Sequence, residues 1–212
     1  MRFEQQPLDC IETAIAGLGH PKSTWFRGHT ADHSLVPTLF RFPACIQIEE
    51  RILESYRRLS SGSTELLPDC ITTLLLMHNR YLPTRLLAWT ESLSIALFCA
   101  LVRESESAAV FVLDPIALNG NSNIADIVAS GPSIPSALAP FSLHPDAQTL
   151  PVHPVAIRCR EGYAPAPEAF FTLHGASSEP LEEQCPACVR KVVLTEKEKK
   201  QAKEYLLATW MP

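Results

Sequence analysis

Residues 80–90 read Arg80-Tyr81-Leu82-Pro83-Thr84-Arg85-Leu86-Leu87-Ala88-Trp89-Thr90 and carry neither a helical nor a strand period. Pro83 restricts its own φ to about −65° and biases Leu82 toward extended backbone, so we expect a fixed loop that holds Thr84 and Arg85. The apolar run at residues 93–102 predicts a buried helix after this loop. A rigid loop that carries an arginine in front of a buried helix is a candidate binding site. Pairing of Arg85 with a structural carboxylate is the alternative interpretation.

A second arginine is flanked by apolar residues and a glycine in the segment Trp25-Phe26-Arg27-Gly28-His29, and residues 35–41 form another apolar run that ends in arginine. Together with Leu86-Leu87-Ala88-Trp89-Thr90 and Val110-Phe111-Val112-Leu113-Asp114-Pro115, these segments resemble the FRG domain family, which is named for a Phe-Arg-Gly motif. The segments occur in the order that the family has. The resemblance extends from residue 23 to the C-terminal helix.

The central motif departs from the family pattern at five positions. Family members usually have Gln-His-Tyr-Gly-Leu-Pro-Thr-Arg-Leu-Leu-Asp-Trp-Thr in this motif. The positions of the usual Gln, His, Tyr, Gly and Asp are occupied here by His78, Asn79, Arg80, Tyr81 and Ala88. These replacements remove a carboxylate and an imidazole from their usual places, and we expect His78 to supply polar function one position before the usual histidine.

The resemblance implies an ADP-ribosyltransferase-like core that binds NAD⁺ or a related nucleotide and transfers or hydrolyses its ADP-ribose without a metal. In the arginine-serine-glutamate class of these enzymes, an arginine on a strand holds the dinucleotide phosphates and a hydroxyl motif shapes the nicotinamide-ribose pocket. A glutamate on a late strand stabilises the oxocarbenium-like centre that forms as nicotinamide leaves. The family's association with bacterial conflict systems implies a toxin or a defence effector that acts on a macromolecular acceptor or a protein partner.

The same resemblance assigns individual residues to this site. Arg27 would present its planar guanidinium to a phosphate, and Gly28 would let the ligand approach the backbone. The expected cofactor-binding residues are Arg27, Gly28, Thr84, Arg85, Trp89 and Thr90, and the expected catalytic residues are Glu168 and His78. On the late strand, family members often have Gln-x-Gly-x-Phe-Thr, where this chain has Pro167-Glu168-Ala169-Phe170-Phe171-Thr172.

Each assignment has a structural alternative. Arg27 could tie a strand to a loop through hydrogen bonds, and Glu168 could be an exposed glutamate at the start of a strand. For the whole protein, the alternative is a non-catalytic regulatory module that binds a nucleotide or a protein partner through a degenerate pocket. The presence of Asn79, Ala88 and Pro167 at positions where the family has other polar residues favours this alternative.

Composition narrows the class of protein. The net charge of −5 and the isoelectric point near 5.8 argue against broad, sequence-independent nucleic-acid binding, which relies on a basic surface.

The seven cysteines lack the spacing of a secreted disulfide scaffold and the N-terminus has no apolar signal region, so we expect a cytoplasmic protein. Cys185 and Cys188 form one pair with metal-ligand spacing, and we expect free thiols. Zinc binding is the alternative, and it would need further ligands such as Cys159, His153 or His174. The apolar runs are much shorter than the roughly 20 residues that span a bilayer, so we expect a soluble protein without a membrane partner.

Apolar periodicity predicts one α+β domain over residues 1–212, in which N-terminal helices are followed by a mainly antiparallel sheet. An N-terminal helix falls within residues 1–22, and residues 23–212 form the core and end in a helix. Helices are predicted at residues 7–18, 46–59, 67–77, 91–103 and 195–210, the last capped by Thr195 and Glu198. Strands are predicted at residues 25–28, 108–113, 153–159, 169–174 and 189–194, with an irregular, proline-rich segment at residues 130–154.

Overall fold

The computed structural model describes residues 8–42, 44, 47–60, 70–130, 138–139, 152–160 and 168–210. Within these residues the chain is an α+β protein, which confirms the predicted fold class. The helices are α1 (Asp9–Ala16), α2 (Glu49–Ser60), α3 (Cys70–Asn79), α4 (Leu93–Leu101), α5 (Pro115–Gly120), α6 (Leu181–Gln184) and α7 (Glu196–Trp210), with a short 3₁₀ helix at Thr38–Arg41. The strands are β1 (Trp25–His29), β2 (Leu86–Trp89), β3 (Ala109–Leu113), β4 (Val128–Ser130), β5 (Val155–Arg160), β6 (Glu168–Leu173) and β7 (Val189–Val193).

Local capping residues explain where several helices begin. The side chain of Ser92 accepts a hydrogen bond from the backbone N–H of Ile95 and so caps α4. Asp114 Oδ1 accepts the N–H groups of Ile116 and Ala117 at the start of α5, where Pro115 occupies the first helical position. The predicted strand end at Asp114 is therefore confirmed.

The first of two compact units contains Met1–Ser34, Trp89–Ala117 and Leu181–Pro212. Its sheet has the order β1-β3-β7 with antiparallel pairing throughout, and β3 is buried along its whole length. One face of this sheet packs with α1, α4 and α7 into an apolar core. The core includes Ile11, Phe26, Ala96, Leu97, Ala100, Val110, Val112, Ala202 and Leu206.

The second unit contains Leu35–Ala88 and Leu118–Pro180. Its sheet has the order β2-β6-β5-β4, in which β5 pairs antiparallel with β6 and parallel with β4. Helices α2 and α3 contribute their apolar faces to a second core with Leu53, Tyr56, Leu74, Leu75, Ile157, Phe171 and Leu173. The buried Asn119 makes hydrogen bonds with both backbone groups of Ala156 and with the carbonyl of Asp126, which satisfies its polar side chain inside this unit.

The arrangement of strands differs from the sequence-based expectation in two respects. Residues 86–89 were expected in a loop but form β2. Three of the four residues of β2 are buried, so apolar residues occur on both faces of the strand and the alternation that marks a half-exposed strand is lost. The strands also form two sheets instead of one and alternate with helices from the N-terminus onward. Most of the predicted irregular segment at 130–154 lies outside the described residues.

Within the described parts of the chain, every helix is too short or too polar to cross a membrane.

Candidate functional site

Arg85 lies in the second unit at the start of β2, with only 3% of its surface exposed. Its Nε and Nη2 atoms donate to the two carboxylate oxygens of Glu49, and Nη1 donates to the carbonyl oxygens of His174 and Gly175 at 2.7 Å each. The Phe40 ring lies 5.6 Å from the guanidinium carbon. These hydrogen bonds use four of the five N–H donors of a guanidinium. Arg85 therefore pairs with a structural carboxylate, as the alternative interpretation of the sequence predicts. Its hydrogen bonds hold the backbone of this segment in the interior of the second unit.

Thr84 and His78 hold the loop in front of Arg85. Thr84 is fully buried, its Oγ1 lies 3.3 Å from Nδ1 of His78, and its carbonyl accepts the N–H of Leu39 at 3.1 Å. The half-buried His78 stands near the end of α3 and packs edge-on against the ring of Phe171 at 5.2 Å. The structure thus brings together two of the sequence-predicted site residues in this unit.

His174, a strand histidine whose position is compatible with acid–base chemistry but more often has a structural role, also joins this cluster. It is fully buried, its Nε2 lies 3.1 Å from Thr172 Oγ1, and its backbone N–H donates to the carbonyl of Arg85 at 2.9 Å. Its ring packs edge-on against Phe40 at 6.3 Å. Glu49 was missed, because a glutamate at the start of an amphipathic helix is usually exposed. The sequence contains no local signal for either partner of Arg85.

Glu168 is the first residue of β6, and its backbone lies opposite Arg160 of β5. This confirms its expected position at the start of a late strand. The role of Glu168 as catalytic carboxylate stays a prediction.

Arg27 lies in the first unit on β1, where it is half-buried. Its Nε donates to Nε2 of His29 at 2.8 Å, and Nδ1 of His29 lies 3.3 Å from the carbonyl oxygen of His33. Both contacts are satisfied when the neutral imidazole carries its proton on Nδ1, because Nε2 is then the acceptor. His29 therefore orients the Arg27 guanidinium.

Gly28 serves a different purpose from the one expected. A Cβ atom at this position would lie 1.8 Å from the carbonyl oxygen of Ala96 and 2.7 Å from the backbone nitrogen of Ala100. The space beside Gly28 is therefore filled by the backbone of α4, and the expectation that a ligand approaches there is wrong. Glycine is required at this point because α4 packs directly against β1.

Thr90 connects β1 to α4 within the first unit. Its backbone exchanges two hydrogen bonds with Phe26, at 2.7 and 3.0 Å, and its Oγ1 accepts the N–H of Ser92 at 3.0 Å. Trp89 precedes it and is 7% exposed, so little of its indole surface is open to a stacking partner. Tyr81 has the opposite environment, since it is 95% exposed. An aromatic ring can stack on a base or a nicotinamide, and of these two rings Tyr81 is the accessible one.

The cysteine pair is not a pair of free thiols as expected. Cys185 and Cys188 form a disulfide between α6 and β7, and both residues are buried. Across the described stretches of the chain, His, Cys, Asp and Glu side chains do not gather into a group of three that could hold a metal ion.

Two open clefts lie along α7 in the first unit. One, of about 460 Å³, is lined by charged residues that include Arg103, Glu106 and Lys199. Lys199 is buried and donates to the carbonyls of Ser105 and Glu106 and to the carboxylate of Glu196, so its three donors are used. The other cleft, of about 410 Å³, is mainly apolar, and its lining includes Phe98, Leu206 and Trp210. Neither cleft is lined by a residue of the sequence-predicted site.

Comparison with known families identifies one segment of the chain. The model of the FRG domain matches residues 22–109, which include β1 with Arg27 and the motif around Thr84 and Arg85. Glu168 lies outside the matched residues, so the match is shorter than the resemblance predicted from the sequence. No curated protein and no solved structure matches the chain.

Proposed function

Because residues 22–109 match the model of the FRG domain, we propose that this protein binds NAD⁺ or a related nucleotide and transfers or hydrolyses its ADP-ribose. The observation that carries the proposal is the environment of Arg27. This arginine stands on β1, donates to His29 and is paired across the sheet with the buried Phe111. A guanidinium with a fixed orientation is well suited to a phosphate group, because its planar array of N–H donors matches the phosphate oxygens.

The predicted site residues would each have one role in binding such a ligand. A dinucleotide supplies a glycosidic bond whose cleavage releases nicotinamide, and the chain supplies groups that bind and orient. Arg27 would hold a phosphate. Thr84 and Arg85 would maintain the backbone of the motif through buried hydrogen bonds. Glu168 would act as the carboxylate that stabilises positive charge on the ribose, since a fixed negative charge lowers the free energy of a cationic transition state.

Nucleotide binding is tested by thermal denaturation of the wild type and Arg27→Ala with and without NAD⁺. A ligand that binds only the folded state raises the apparent free energy of unfolding as ln(1 + [L]/Kd). We expect NAD⁺ to raise the melting temperature of the wild type and to have a much smaller effect on folded Arg27→Ala. An equal shift in both proteins would show that Arg27 does not bind the nucleotide.

Catalysis is tested by release of nicotinamide from NAD⁺. We expect the wild type to release nicotinamide and Glu168→Gln, which keeps the size of the side chain, to release at least about 100-fold less, as for the loss of one electrostatic stabiliser. Release at the wild-type rate by Glu168→Gln would remove the catalytic role of this residue.

A non-catalytic module that binds a nucleotide or a protein partner is the second candidate function. It is favoured by Ala88, which replaces the usual carboxylate of the motif, and by the buried ion pair that occupies Arg85. NAD⁺-dependent stabilisation without nicotinamide release, in the presence of a range of protein and nucleic-acid acceptors, would support this candidate. We also propose that the protein is cytoplasmic and that it acts as a toxin or a defence effector.

A further inference from the structure

We propose that Lys191 and Arg27 form a two-cation subsite for the diphosphate group of the nucleotide, so that the protein selects nucleoside diphosphates over monophosphates. This inference rests on the proposed function, because it specifies which part of the nucleotide Arg27 meets. It adds Lys191, a residue of β7 that lies outside the matched FRG segment.

The register of the first sheet places the two cations on one face. Arg27 of β1 is paired with Phe111 of β3, and Phe111 is paired with Lys191 of β7. Directly paired residues point to the same face of a sheet. Neighbouring strands are about 4.8 Å apart, so the two backbones lie roughly 10 Å from each other with Phe111 between them. Two long side chains can approach one ligand across that distance.

Phe111 lies between the two cations in the register of the sheet. It has no exposed surface, the Lys191 ammonium lies 5.5 Å from the centre of its ring, and the His29 ring packs edge-on at 5.2 Å. A buried aromatic ring next to a cation lowers the local dielectric constant, which strengthens attraction between that cation and an anion. The ring also keeps the Lys191 side chain directed over the sheet.

Asp32 marks the position that an anion would take. Its carboxylate makes an ion pair with Lys191, and the Lys191 and Asp32 side chains are 31% and 48% exposed. An exposed pair of this kind is weak and exchanges readily with other anions. A diphosphate carries more negative charge than one carboxylate, and it can contact Arg27 at the same time. We therefore expect it to displace Asp32 from Lys191.

Titration calorimetry with ADP-ribose and, separately, AMP tests the subsite. We expect Lys191→Met to weaken ADP-ribose binding about 10-fold or more, the loss expected for one charge-assisted hydrogen bond. The affinity of the same variant for AMP should fall by less than about 3-fold, because AMP has a single phosphate that Arg27 binds and it loses little contact with Lys191. Lys191→Arg should retain most of the affinity, and Asp32→Asn should bind ADP-ribose more tightly than the wild type because the competing carboxylate is gone.

Lys200→Met is the matched control, because it removes one exposed lysine of α7 and changes the net charge by the same amount. Unliganded melting curves of each variant check folding. ADP-ribose binding lost in Arg27→Ala but unchanged in Lys191→Met would overturn the subsite and leave the proposed function in place. Equal weakening by Lys200→Met would also overturn it, since the effect would then be one of overall charge. A wild type that binds neither ADP-ribose nor NAD⁺ would overturn both proposals.

Discussion

At the scale of single residues, Gly28 allows a helix to lie directly on a strand. We expect Gly28→Ala to lower the free energy of unfolding by about 3 kcal/mol or more, because the new methyl group overlaps backbone atoms of α4 that cannot rotate away. Chemical denaturation measures the change. Gly120→Ala is the control, since a Cβ there meets no atom within 4 Å, and its effect should stay within about 0.5 kcal/mol. A tolerated Gly28→Ala would show that α4 packs less tightly against β1.

Tyr81 illustrates how one departure from the family motif affects the backbone. It has a φ of 58°, in the left-handed region, at the position where the family usually has glycine. We expect Tyr81→Gly to raise the free energy of unfolding by about 1 kcal/mol, because a side chain is strained in that region and the exposed ring makes little contact. Asn123→Gly, at φ 56°, should gain less, since asparagine tolerates this conformation. Thermal melts of the two variants test the difference.

Removing one partner of the buried Arg85–Glu49 pair should cost more stability than removing both. Glu49→Leu should destabilise the protein by about 3–5 kcal/mol, because it leaves the guanidinium buried without its counter-charge. The double variant Glu49→Leu with Arg85→Met should be less destabilised than Glu49→Leu alone. Glu54→Leu, at an exposed position of the same helix, is the control. Equal stability of Glu49→Leu and Glu54→Leu would contradict the role of the pair.

At the scale of secondary structure elements, α7 begins with the capping box that its sequence predicts. Thr195 Oγ1 accepts the N–H of Glu198, and the Glu198 carboxylate accepts the N–H of Thr195 at 2.7 Å. Both contacts join residues three positions apart, so the sequence suffices to predict them.

Hydrogen bonds from the Thr195 side chain and backbone hold the pKa of the Glu198 carboxyl below its ordinary value of 4.5. A carboxyl whose pKa is lowered by folding stabilises the protein above its unfolded-state pKa and loses this contribution as the pH falls. We therefore expect Glu198→Gln to reduce stability at pH 7 and to make the loss of stability below pH 4.5 less steep. Thr195→Ala should cost about 1 kcal/mol. Melting curves between neutral and acid pH measure both effects, and identical curves for wild type and Glu198→Gln would contradict the cap.

The same glutamate connects α7 to α1. Burial and a hydrogen bond with Glu198 raise the pKa of the Cys10 thiol to about 11. The thiol therefore keeps its proton at neutral pH, and thiolate chemistry is suppressed there because the thiolate is the reactive form. This contact brings together residues from distant parts of the chain.

At the scale of the whole molecule, the Cys185–Cys188 disulfide bears on the compartment in which the protein functions. Because the two cysteines are three positions apart, the closed loop is short, and Cys185→Ser with Cys188→Ser should cost about 2 kcal/mol in oxidised protein. A reductant should lower the stability of the wild type toward that of the double variant. Cys99→Ser, at an exposed position, should have little effect.

Intact mass measured without reductant provides the second measurement for this prediction. Oxidised wild type should be lighter than the reduced protein by two hydrogens. Equal masses and equal melting temperatures with and without reductant would show that the thiols are reduced, as the expected cytoplasmic location implies.

Local features of the sequence determined the α+β class, the positions of most helices, the end of β3 at Asp114 and the cap of α7. Each depends on apolar periodicity or on polar side chains that meet neighbours within one turn, and both are visible in a short window of sequence. The order of the FRG-like segments was visible in the same way. β2 was missed, because a strand whose neighbours bury both faces carries no alternation.

Tertiary structure alone decided what the motif residues contact. Arg85 pairs with Glu49, 36 positions away, and with carbonyls 89 and 90 positions away. Gly28 lies under α4, and Lys191 shares a sheet face with Arg27 through the register of three strands. These partners are set by packing between segments that are distant in sequence. Whether a charged side chain is buried or exposed depends on which distant segment packs against it, and a short window of sequence does not contain that information.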